Sequence, residues 1–135
     1  MEKAVFQYIE HVIREYPEVE RILLEEENEM QEFSFSLERS GVRGQVGNPT
    51  ESQVMRLLTS KTRHRMLANQ KAVHWVIHEL PEDKRQFVEL YYWNRPKTLT
   101  NEGIAQRLHI GITTLYQWKK AIVTLVGLEL GLCRL

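Results

Sequence analysis

IAQRLHIGITTLYQWKK, residues 104–120, holds two short helical patterns joined by an abrupt turn. In the first, from Asn101 to Leu108, the residues Ile104, Ala105 and Leu108 share one side. Ala105 stands where two crossing helices approach most closely, and a larger side chain there would force them apart. Ile110 plugs the turn, and Gly111 accepts unusual backbone angles and can act as an N-cap. The second pattern turns Leu115, Trp118, Ile122 and Leu125 inward. Positions 104, 105, 108, 110, 115 and 118 match the helix-turn-helix template in order and spacing.

The opposite side of the second helix is read at 100° per residue. It carries Thr113, Tyr116, Gln117, Lys120 and Thr124, flanked by Thr114 and Lys119, with no acid among them. The N-terminal part of a recognition helix reads base edges in a DNA major groove, which makes Thr113, Thr114 and Gln117 the best-placed readers. A Gln amide pairs bidentately with adenine, and a Thr methyl touches the thymine methyl. Lys119 and Lys120 follow one turn later, where phosphates line the groove, and the Tyr116 hydroxyl suits the same backbone. Two such helices also occur as a plain hairpin in all-α cores. Arg95, Lys97, Arg107, Lys119 and Lys120, with only Glu102 nearby, favour the DNA reading.

Upstream, Val5, Ile9, Val12, Ile13 and Tyr16 recur at helical spacing over residues 2–16, and Pro17 is expected to break the pattern. A second helix is expected over 18–31, with Val19, Ile22, Leu23 and Met30 on one side. FSFSLERSGVRGQVGNPT, residues 33–50, loses periodicity and gathers Ser, Gly, Asn and Pro, so it reads as a flexible connection. Thr50 with Gln53 forms a capping-box pattern that opens a helix running to about Leu80. Its apolar positions are Val54, Leu57, Leu58, Ala72, Val73, Val76, Ile77 and Leu80. Pro81 suits the first turn of the next helix, whose apolar face is Phe87, Val88, Leu90, Tyr91 and Tyr92. NRPKTLT, residues 94–100, is a turn-rich loop that ends on Thr100 as an N-cap. No strand pattern appears. The expected fold is all-α, with an acidic helical segment at 1–32, a linker at 33–50 and a helical DNA-binding domain at 51–135, its two-helix motif at about 100–125.

The chain of 135 residues is 42% hydrophobic and 27% charged, enough apolar material for one ordinary domain. Its net charge of zero conceals an asymmetry. Residues 1–40 hold eleven Glu against four Lys/Arg, which leaves seven acids against fourteen bases in the rest. From Ser52 to His78 there is no acid but five bases, Arg56, Lys61, Arg63, Arg65 and Lys71. A polyanion-facing surface therefore belongs to the second half. No apolar run suits a bilayer, the N-terminus does not read as a secretion signal, and the lone Cys133 fits a reducing compartment. The expectation is a cytoplasmic protein of a bacterial host cell, with no membrane association.

LPEDKRQFVELYYWNRPKTLTNEGIAQRLHIGITTLYQWKK, residues 80–120, resembles region 4 of bacterial sigma factors. The matching residues are Leu80, Pro81, Glu82, Arg85, Tyr92, Thr100, Ile104 and Ala105. YPEVERIL near the start, the Gly/Ser-rich middle, Thr50-Glu51 and QFVELYYWN are similar to a narrower group, the RinA and ArpU type late-gene transcriptional regulators of phages. The resemblance implies a phage or prophage activator that binds double-stranded DNA, with RNA polymerase or a second copy as protein partner. Three positions depart from the pattern. Gly103 stands where an acid is usual and costs its helix about 1 kcal/mol against Ala. His109 replaces a turn glycine, and Ile112 replaces a frequent Arg at the head of the recognition helix. The target sequence is therefore not carried over.

Other constellations read plainly. His74 and His78 are spaced i, i+4 but lack a third ligand, and Glu25-Glu26-Glu27 lacks the alternation of a calcium loop. Trp75, Trp93 and Trp118 read as core or rim anchors. No phosphate loop, nucleophile elbow or carboxylate pair is present, so no enzyme activity, metal or cofactor is expected. The tail after Lys120 is more apolar than one helix face needs, so Val123, Val126 and Leu130 either form a partner surface, as for self-association, or pack against the N-terminal helices.

The reading is a sequence-specific DNA-binding regulator of transcription. Its DNA contacts are expected at Ile112, Thr113, Thr114, Tyr116, Gln117, Lys119, Lys120, Arg95, Lys97, Thr100 and Arg107, supplemented by the basic helix over 54–75, with the acidic helices free for a protein partner. A small terminase subunit and a helical adaptor that binds only protein are the alternatives.

Overall fold

The computed structural model describes residues 1–40, 51–94 and 98–133, with side chains over 1–25, 60–94 and 98–133. The helices are α1 (Lys3–Ser40), α2 (Glu51–Glu79), α3 (Glu82–Val88), α4 (Asn101–Arg107) and α5 (Ile112–Glu129), with a π-helical turn at Glu89–Trp93. There is no strand among the described residues, and no helix in them is long and apolar enough to cross a membrane. The chain forms two compact units, one of Met1–Pro17 with Ala68–Leu135 and one of Glu18–Leu67.

The first unit holds the core. α1 contributes Ile9, Val12 and Ile13, three of the positions its periodicity marks, α2 contributes Val73 and Val76, and Leu80 follows just after it. Around them pack Phe87, Val88 and Tyr92, then Ile104 and Ala105 from α4 and Leu115, Ile122, Val123 and Val126 from α5. Residues 1–17 are thus integral to the fold, not an acidic segment free for a partner. The boundary expected at residue 33 also moves, because 33–40 continue α1. Residues 41–50, including the proposed cap Thr50, lie outside the described residues.

Pro17 does not break α1. A proline inside a helix lacks the N–H that would bond the carbonyl four residues back, here that of Ile13. The Trp93 indole N–H donates to that carbonyl at 2.8 Å, and the Trp93 ring stacks on Tyr16 at 5.5 Å. The vacant acceptor is filled from another element, which removes one of the two usual reasons for a break, the unpaired carbonyl.

Pro81 sits just before α3 at its N-cap position, and Glu82 and Asp83 occupy the first turn, where the helix dipole favours acids. α3 passes into the π-helical turn, whose wider winding lets the consecutive Tyr91, Tyr92 and Trp93 all pack on the core. Phe87 stacks on Tyr91 and meets Tyr92 and Trp118 edge-on. Trp75 departs from its expected role as an anchor, since it is 57% exposed on α2.

The second unit contains an exposed charge cluster in which Arg21 of α1 lies between Glu18 and Glu25, with 2.6 Å to Glu25. Such solvent-facing pairs contribute little to stability.

Candidate nucleic-acid interface

α4 begins on Thr100, whose hydroxyl accepts the Gly103 N–H at 3.1 Å, the N-cap its type predicts. Only Leu108, His109, Ile110 and Gly111 separate α4 from α5. His109 reverses the chain in the left-handed region, at φ 59°, and the Ile110 N–H returns to the Ala105 carbonyl at 3.0 Å. Gly111 is the N-cap of α5. Ile104, Ala105 and Leu115 close the crossing, with Ile110 and Leu108 packed at its edge.

Opposite the buried Leu115 and Ile122, the residues Thr113, Tyr116, Gln117 and Lys120 face solvent. At 1.5 Å per residue the strip from 113 to 120 is about 10 Å long, comparable with the width of a DNA major groove. Tyr116 is 48% exposed, and its hydroxyl accepts a hydrogen bond from the Asn101 amide at 3.4 Å, which links the first turn of α4 to the second turn of α5. Thr124 is half-buried and donates its hydroxyl to the Lys120 carbonyl at 2.8 Å, so it is a weaker member of the strip.

Several expected contacts are placed differently. Ile112 is half-buried and packs on the core. Thr114 is half-buried. Arg107 is exposed on α4, at the rim of an open groove lined also by Trp93, Asn94 and Thr98. Thr100 is exposed, although its hydroxyl is engaged in the cap. Arg95 and Lys97 lie outside the described residues.

Lys119 is the clearest correction. It points into the molecule, with Nζ 3.7 Å from the Glu10 carboxylate and 3.3 Å from the Tyr91 hydroxyl. Its ammonium also lies over the Phe6 and Tyr91 rings, at 5.6 and 5.5 Å. The same carboxylate accepts the Tyr92 hydroxyl at 2.8 Å. Burial, and then the charge and hydrogen bond of Glu10, push the Tyr92 phenol well above its usual pKa, so it stays a neutral donor. Glu10, Phe6 and Tyr91 carried no signal toward this site in the sequence, because their links to Lys119 exist only once α1 and the π-helical turn pack on α5.

The tail of α5 is corrected as well. Val123 and Val126 are fully buried, Leu130 packs on the core, and Leu125 is 43% exposed instead of inward. α1 is the cause. A Cβ on Gly127 would lie 2.8 Å from the Ile9 side chain and 2.9 Å from Cys133, so α1 approaches α5 on the side where 123 and 127 stand. His74 and His78 stack at 5.9 Å, and His74 Nδ1 meets the Tyr16 hydroxyl at 3.2 Å. Among the described residues no three His, Cys, Asp or Glu side chains form a metal-sized group.

Comparison with known proteins finds no matching family model, no matching curated protein and no matching solved structure.

Proposed function

We propose that this protein is a sequence-specific DNA-binding regulator of transcription, a phage or prophage late-gene activator of the RinA/ArpU kind, and that α5 is its recognition helix. The observation that carries the reading is the exposed, acid-free strip of Thr113, Tyr116, Gln117 and Lys120 on a helix whose other side is buried. Short polar side chains at the helix start suit base edges, and Lys120 suits a phosphate at the groove wall. Arg107 supplies a second cation on the neighbouring helix. RNA polymerase or a second copy would meet another surface, for which the solvent-facing side of α1 around Glu20 is a candidate.

Selection of bound fragments from random DNA tests the reading and reports half-site symmetry at the same time. On a selected site, Lys120→Gln should lower the slope of log affinity against log salt by about 0.9, the release expected for one phosphate contact. Gln117→Ala should cost about 1–3 kcal/mol of discrimination at one base pair and leave that slope unchanged. Recovery of no enriched sequence, with binding indifferent to salt, would remove the reading.

The exposure of Trp75 and Leu125 favours the adaptor as the second reading, since isolated large apolar groups at a surface suit a protein partner. Under that reading Lys120→Glu leaves every binding activity intact. A small terminase subunit would instead run in solution as a ring of many copies.

A further inference from the structure

The α1–α5 contact sets a polar joint beside apolar packing. Ile9, Ile13, Val123 and Val126 pack by shape, and shape-driven apolar contact is non-directional. Glu10 is different. Its carboxylate lies 3.7 Å from Lys119 Nζ on α5 and accepts the Tyr92 hydroxyl of the π-helical turn at 2.8 Å. The pair is largely withdrawn from water, the Glu10 side chain 13% and the Lys119 side chain 23% exposed.

We infer that Glu10 of the N-terminal helix is a positioning residue for DNA recognition, fixing the rotation of α5 through Lys119 and registering it against the π-helical turn through Tyr92. The inference rests on the proposed role of α5. At 100° per residue, Lys119 lies about 160° around the helix from Gln117 and about 120° from Thr113, so it does not share their groove. What it does share is their helix. The Tyr92–Glu10 and Lys119–Tyr91 hydrogen bonds prefer a narrow range of distance and angle, and the Glu10–Lys119 charge pair draws them together. The joint therefore fixes a rotation that apolar packing leaves soft. A displacement of about 1 Å at base-reading atoms is enough to loosen a recognition site. Lys119 therefore acts on specificity from the inside of the protein and makes no phosphate contact.

The test compares wild type with Glu10→Gln, Lys119→Met, the double variant and Lys119→Arg. Gln at position 10 still accepts the Tyr92 hydroxyl, and Met at 119 can lie over the Phe6 and Tyr91 rings, so both variants are designed to fold. Binding to a selected site and to random DNA is measured across salt, and hydrogen exchange of the α5 amides is measured without DNA. Each single variant should lose roughly tenfold in preference for the selected site, a typical coupling within one contact network. The salt slope should stay at the wild-type value, the double variant should be no worse than either single one, and Lys119→Arg should stay near wild type. Exchange over α5 should quicken in both single variants. A salt slope reduced by about 0.9 in Lys119→Met would make it a phosphate ligand and overturn the inference. Additive losses in the double variant would overturn it too. If wild type binds no DNA, the regulator reading fails by itself and exchange decides the joint: unchanged α5 protection in Glu10→Gln rejects it, and quicker exchange upholds the coupling of α1 to α5.

Discussion

His109 holds the one non-glycine backbone with positive φ among the described residues, at 59°. The sequence points to this, because the position between two short helices calls for a residue that tolerates left-handed angles, and His does so better than most. A β-branched side chain there meets its own backbone. His109→Val should cost about 1–2 kcal/mol, while His109→Gly should be neutral or stabilise by up to about 1 kcal/mol, as urea midpoints at constant m would report. Equal midpoints for the two variants would mean that the turn relaxes and carries no constraint. Thr100, Gly111 and Ala105 were legible in the same way, since each is dictated by its own few neighbours. Lys119 was not. A lysine beside another lysine on a polar helix reads as solvated, and only the arrival of Glu10 and Phe6 from α1 turns it inward.

Helix boundaries follow the same division between local and distant causes. The apolar spacing of α2 from Ala72 to Ile77 and the start of α3 after Pro81 are local and were legible. The continuity of α1 through Pro17 was not, because its cause lies on another element. The Ile13 carbonyl that Pro17 cannot serve is served by Trp93. This makes a cycle testable. Trp93→Phe should cost about 1–3 kcal/mol, because it strands a buried acceptor. In a Pro17→Ala background the alanine N–H restores the ordinary helical bond to Ile13, and the same Trp93→Phe change should cost about 1 kcal/mol less. Penalties that simply add would show that the indole bond does not replace the missing helical one. The π-helical turn belongs to the same class. Its three adjacent aromatics look like an overfilled helix face until the wider winding accommodates them.

For the molecule as a whole, the sequence revealed an all-helical chain with a polar strip on its last long helix, but it drew the domain in the wrong place. Charge and composition separate residues 1–40 from the rest, yet burial joins 1–17 to the C-terminal part. Glu18, Glu20 and Glu25 of α1 face solvent while Ile9, Val12 and Ile13 close the core, and a count of charges cannot see which face a helix buries. The consequence is a prediction about residues 51–135 taken alone. Removing α1 uncovers an apolar surface that had been covered by three side chains, each contributing about 1.5–3 kcal/mol by burial. Their sum rivals the whole stability of a small domain, about 5–15 kcal/mol. The loss also removes the Glu10 partner of the Tyr92 hydroxyl and the Ile13 partner of the Trp93 indole, so the directional contacts of α1 go with its apolar ones. The fragment should lack near-ultraviolet circular dichroism and a cooperative thermal transition, both present in the full chain. A synthetic peptide of residues 1–25 should restore them in proportion to its concentration, because it binds only the folded form. A fragment that melts cooperatively without the peptide would return α1 to the status of an appendage and leave the recognition helix to be held by α4 and the aromatic turn alone.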